Sequence, residues 1–282
     1  MSETKLSTSL HLGKICYLNT LPFYHGLGEQ DPNLVIDEGH PTQINRLIQE
    51  GQIDLAPISS LEYGVHPQNY YLLPDLCIGS NYFSGSVLLF SRVKISELNG
   101  KTIALSEESL SSQGLLKILL SKCYQFQNSF VALPSNPKQM LENALACLAI
   151  GDSALFHQTD EFVYKYDLGE LWCEWTQKPF CFSVWAVRKS FFDQNREEVY
   201  AFHEKLKQTT QQNLQDLRTL IETSLGLSSY DQKFAQIFSY LSQLTYDFNE
   251  TMQEGLIYFF NLARELQLIP TTPPLEFLPE RL

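Results

Sequence analysis

Four times between Lys14 and Ala154 the chain runs a short apolar stretch into small polar residues and straight on into a helix start. In KICYLNTLPFYHGL, Ile15 to Leu18 reads as a strand, and Pro22 with Phe23 and Leu27 four residues apart reads as a first helical turn. Asn19 and Thr20 are left on the corner. Ile53 to Ile58 forms the second such strand and delivers Ser59-Ser60, where Ser59 and Glu62 make an S-x-x-E capping box. Lys101 to Ser106 forms the third, with Ser109, Ser111 and Ser112 ahead of the helical set Leu115, Leu116, Leu119 and Leu120. Cys147 to Ile150 forms the fourth and meets Gly151-Asp152-Ser153. This alternation specifies an α/β fold. In open α/β sheets, ligands bind at the carboxyl ends of strands, where helix N-termini and free backbone N–H groups converge.

Each corner residue also has a plainer role as a helix N-cap, and Asp152 reads as a ligand contact or, in preference, as the cap of the helix from Ser153. Repetition at four strand ends turns the reading toward one shared site. The apolar strands near Ser86 and Val184 lie where a chain would cross from one α/β lobe to another and return. The order predicts a bilobal clamshell: residues 1–91 as the first part of lobe 1, 92–183 as lobe 2, and 184–282 as the return strand and C-terminal helices of lobe 1. From Asp193 onward the apolar spacing is helical, ending before Pro270, and the closing PTTPPLEFLPERL reads as surface chain.

A formal net charge of −12 repels nucleic acid and anionic membrane, so neither is an expected partner. The six cysteines are scattered singly, and no histidine is paired at metal spacing, so no metal is expected. Gly100-Lys101-Thr102 has the tail of a phosphate-binding loop, but Ile95 stands where that loop needs glycine. There is no G-x-S-x-G elbow and no G-x-G-x-x-G after a strand. The first residues carry no continuous apolar segment of a secretion signal, which gives a cytoplasmic expectation.

Taken together, ICYLNTLPFYHGL, INRLIQEGQIDLAPISSLEY, LLPDLCIGS, SVLLFS, ELNGKTIALSEES, GLLKILL, AIGDSAL, YDLGELW and PFCFSVWAVR resemble the chorismate dehydratases of the futalosine route to menaquinone. The matching stretches run in order from about Lys14 to Arg188. The resemblance implies the two-lobed, type II periplasmic-binding-protein-like fold, each lobe a mixed sheet flanked by helices, with a helical C-terminal segment. It implies a lyase that removes water from chorismate without a cofactor, with Asn19 facing the cleft and acting on the substrate and Ser86 beside it on the crossover strand. The remaining substrate-binding candidates are Thr20, Ser59, Ser60, Ser109, Ser111, Ser112 and Asp152. In the mechanism the family suggests, the substrate's own enolpyruvyl carboxylate takes the proton while Asn19 orients it. The chain departs from the family at Ser111-Ser112, where Thr-Ser is usual, and at Gln177, where Gly is usual. Two other readings share the clamshell: a small-anion solute-binding protein that does no chemistry, and the sister lyase that makes 1,4-dihydroxy-6-naphthoate. The expected partner is small-molecule chorismate, with the chain a monomer or a homodimer.

Overall fold

The computed structural model describes residues 9–28, 33–157 and 164–281. The first eight residues, on which the reading of the N-terminus turns, lie outside these. In chain order the strands are β1 (Leu10–Ile15), β2 (Leu34–Gly39), β3 (Leu55–Ser59), β4 (Tyr70–Ser80), β5 (Val87–Ser91), β6 (Thr102–Ser106), β7 (Ser129–Leu133), β8 (Ala146–Ile150), β9 (Tyr164–Asp167), β10 (Phe180–Arg188) and β11 (Leu244–Phe248). The helices of the first half are α1 (Leu21–Tyr24), α2 (Pro41–Gln49), α3 (Ser60–Val65), α4 (Leu110–Ile118), α5 (Pro137–Asn143) and α6 (Gly151–Leu155). Those of the second half are α7 (Leu168–Thr176), α8 (Lys189–Phe192), α9 (Arg196–Gln215), α10 (Leu217–Leu225), α11 (Gln232–Gln243) and α12 (Glu250–Glu265).

The strands form two mixed sheets, one in the order β11-β4-β10-β3-β1-β2 and the other β7-β6-β8-β5-β9. The four polar corners are the carboxyl ends of β1 and β3 in one sheet and of β6 and β8 in the other, each strand running parallel to a neighbour. Parallel strands need crossover helices, so every such end feeds a helix start, which is why the corners recur.

Three expectations are corrected. β5, placed by sequence in the first lobe, pairs antiparallel with β8 and β9 in the second sheet. β10 belongs wholly to the first sheet from its start, with Phe180 opposite Ser80. The chain therefore crosses at 81–86 and returns at 177–179. The tail from Asp193 is also not purely helical, because β11 adds an edge strand against β4. The closing segment runs along the surface and is hydrogen-bonded to β4: Leu72 N–H donates to Glu276 O at 2.8 Å and Leu278 N–H to Leu72 O at 3.0 Å.

A continuous apolar core spans both lobes on the hinge side, joining Ile58 and Ala186 of the first sheet to Leu105 and Leu148 of the second through Leu61, Leu115 and Phe259. Helices approach closely there. A side chain at Gly255 would lie 2.4 Å from the Pro179 carbonyl, so α12 presses directly on the return crossing. Gln177 caps α7 in the left-handed region at φ 56°, which explains the usual glycine at this position. Its amide donates to Cys173 O at 3.3 Å and to Glu174 O at 3.0 Å, so the loop keeps its shape without glycine. Among the described residues, no helix is long and apolar enough to cross a membrane.

Candidate active site

The two sheets face one another across a narrow cavity that leaves about 60 Å³ for a water-sized molecule to move in. Its wall is built from all four corners, the first crossing and the return strand. At the first corner the Thr20 hydroxyl donates to Ile15 O at 2.8 Å and Tyr17 O at 2.9 Å, and the turn so folded places Asn19 and Tyr17 on the cavity wall. Tyr246 donates its hydroxyl to the Asn19 carbonyl at 2.9 Å and fixes the backbone from behind.

At the second corner Ser59 caps α3, accepting from Glu62 N–H at 3.2 Å and from the Asn45 amide at 3.1 Å. With both lone pairs engaged, the hydroxyl keeps its proton for the cavity. The reciprocal half of the expected capping box is absent. The Ser59 N–H donates to Asn45 Oδ1 at 3.2 Å instead, while Glu62 turns to Gln49 and Tyr70.

At the third corner Ser109 caps α4 by accepting from Ser112 N–H at 3.2 Å and donates its own proton to Ser112 Oγ at 2.9 Å. The proton of Ser112 is thereby left to serve the cavity, which both serines line. At the fourth, Gly151 lies at φ 63° under the Tyr17 ring.

The crossing segment contributes Ser84 and Ser86 to the wall, and the return strand Phe182 and Ser183. Asp167 clamps that crossing: its carboxylate accepts from the Ser84 N–H and hydroxyl, from Gly85 N–H, and from Gly169 and Glu170 at the start of α7. Ser86 Oγ lies 2.8 Å from the hydroxyl of Tyr240, which reaches in from α11.

Of the residues nominated from sequence, Asn19, Ser59, Ser86, Ser109 and Ser112 line the cavity. Thr20, Ser60, Ser111 and Asp152 do not. Thr20 folds the corner, and the Ser60 hydroxyl donates to Cys181 O at 2.6 Å. Ser111 Oγ accepts from Leu61 N–H at 3.0 Å and Asp152 Oδ1 from Leu18 N–H at 3.1 Å, so both tie one lobe to the other. Tyr17, Ser84, Ser183, Asp167 and Tyr240 were not nominated. Only the YDLGELW stretch and the repeated serines hinted at any of them, since their partners are distant in sequence.

Tyr17 adds a third tie across the cleft by donating to Glu108 at 2.6 Å, and burial together with this carboxylate pushes its phenol well above the usual range. Burial raises the Asp152 carboxyl despite the Leu18 N–H. Burial likewise raises Tyr240, so its hydroxyl stays a neutral phenol. The described lining residues include no carboxylate, imidazole, ammonium or guanidinium; they offer hydroxyls, one amide and apolar surface. Among the described residues no group of three His, Cys, Asp or Glu is placed to hold a metal ion.

A family model described as menaquinone biosynthesis matches residues 10–265. A chorismate dehydratase of Thermus thermophilus is 29% identical over 199 residues, covering 63% of this chain and 69% of that protein. In fold, the chain is similar to a protein of Archaeoglobus fulgidus, with a TM-score of 0.70 at 18% identity, covering 94% of this chain and 100% of that one. It is also similar to the periplasmic aliphatic sulphonate binding protein of Escherichia coli, with a TM-score of 0.61 at 18% identity over 97% and 93% of the two chains.

Proposed function

The chain belongs to the menaquinone-biosynthesis family, and on that premise we propose that it is a chorismate dehydratase, a carbon–oxygen hydro-lyase acting on the substrate named for its Thermus relative. The observation that carries this reading is the cavity wall, rich in hydroxyl donors and free of an ionisable base. Such a wall suits a dicarboxylate whose own chemistry supplies the base.

Chorismate carries a ring carboxylate conjugated to a diene, which acidifies the hydrogen on the carbon bearing the enolpyruvyl ether. The enolpyruvyl carboxylate takes that proton. The C–H electrons form the new ring double bond, and the neighbouring C–O electrons leave with the hydroxyl oxygen. That oxygen then takes up the proton and departs as water, giving 3-[(1-carboxyvinyl)oxy]benzoate. The protein's share is orientation and charge stabilisation. Ser112 at the N-terminus of α4, oriented by Ser109, and Ser59 at that of α3 direct hydroxyl protons at a carboxylate, and neutral donors with helix ends suffice to hold it. Closure supported by Tyr17–Glu108, Asp152–Leu18 and Ser111–Leu61 keeps water from competing.

Purified protein mixed with chorismate should form the aromatic enolpyruvyl ether, followed by absorbance and mass spectrometry. Asn19→Ala should lower kcat by about 100-fold or more. Wild-type protein that leaves chorismate unchanged, or an Asn19→Ala variant as active as wild type, would overturn the reading.

A further inference from the structure

Tyr240 lies at none of the four corners, yet its hydroxyl stands beside Ser86, one of the two residues that resemblance places at the substrate. It is 3% exposed and belongs to an apolar cluster with Ile221, Phe234, Ile237 and Leu241, so its ring has one position. The ring rests on Gly85 at φ 68°, where any Cβ would come within 2.9 Å of Tyr240 Cδ2. α11 is itself tied to the second lobe through the Gln236 amide, which donates to Leu155 O at 2.8 Å. The phenol oxygen lies 2.8 Å from Ser86 Oγ, and Ser86 and Asn19 both line the cavity. Asn19 Oδ1 is sealed from solvent and has no hydrogen-bond partner.

A phenol has one proton to give. With the Tyr240 proton directed at Ser86, the Ser86 proton is left for the cavity, where Asn19 Oδ1 stands as a bare acceptor. An unpartnered buried carbonyl needs a donor. A carboxylate cannot supply one, and chorismate with both carboxylates ionised has a single O–H, the hydroxyl that leaves.

Resting on the dehydratase reading, we infer that Tyr240 is a positioning residue that sets the direction of hydrogen bonding across the cleft, so that Asn19 accepts from the departing hydroxyl while Ser86 donates to its oxygen. Asn19 then holds the leaving group rather than the enolpyruvyl carboxylate. A donor fixed at that oxygen stabilises the charge it gathers as the C–O bond breaks, an interaction strongest in the transition state. Its loss belongs in kcat.

Tyr240→Phe keeps the ring on Gly85 and removes only the hydroxyl. The expected result with chorismate is a fall in kcat of about 30-fold or more, with KM within about 3-fold of wild type and the melting temperature held. A kcat within about 3-fold of wild type overturns the inference, as does a rise in KM accompanied by a lower melting temperature, which marks a packing role. Wild-type protein that does not convert chorismate, whether or not it binds it, overturns the dehydratase reading and the inference with it, whereas an active wild type beside an equally active Tyr240→Phe overturns the inference alone.

Discussion

Gly151 shows how little freedom the cleft leaves at single positions. Its φ of 63° is one that side chains resist, and a Cβ there would come within 2.6 Å of the Tyr17 ring. Gly151→Ala is therefore expected to displace Tyr17 and loosen the closed cleft, raising KM for chorismate about 10-fold, with a strain cost of about 1–3 kcal/mol on folding. Steady-state kinetics with a thermal melt checks both, and an unchanged KM would show that Tyr17 has room to move. At this scale the sequence displayed the right residue types but not their directions. Ser59 and Ser60 are adjacent, yet one faces the cavity and the other donates to Cys181 O, because the first caps a helix and the second begins it. Ser111 and Ser112 divide in the same way, the first toward α3 and the second toward the ligand space.

At the scale of elements, the hinge is the part most dependent on one side chain. Asp167 ends β9, caps α7 and holds the crossing segment through Ser84 and Gly85. Asp167→Asn puts an N–H donor where an oxygen now accepts, so buried backbone N–H groups lose their partner; we expect destabilisation of about 2–4 kcal/mol, read by denaturant unfolding. A loss below 1 kcal/mol, on the order of a neutral surface change, would mean that the segment is held by packing alone. The alternating strands and helices of the first half were legible from apolar runs and helix-start chemistry. β11 was not, since LTYDF sits between two long helical patterns and becomes a strand only because β4 offers a free edge beside it.

For the molecule as a whole, stability should depend on pH through His203, which α9 buries against the bend of β4. Its Nε2 lies 2.9 Å from Pro74 O, and burial holds its pKa below the usual 6.5, with Lys207, Glu204 and Asp75 as lesser influences. A folded-state pKa that is depressed favours the neutral ring, so the stabilisation is fully present above 6.5 and is lost as pH falls through the lower folded value. Melting temperature is expected to drop by a few degrees as pH goes from about 7 to about 5, and His203→Gln is expected to flatten that slope. An unchanged slope in the variant would assign the pH dependence to other groups. The sequence by itself determined the α/β class, the helix starts at four strand ends and the family resemblance, because periodicity, capping and turn chemistry act over a few neighbouring residues. Only the tertiary structure decided which hydroxyls share the cavity, that β5 belongs to the second sheet, and that Tyr240 stands behind Ser86, 154 residues away in sequence. Those facts rest on contacts between distant segments, which form only when a shared core brings two sheets and a C-terminal helix together.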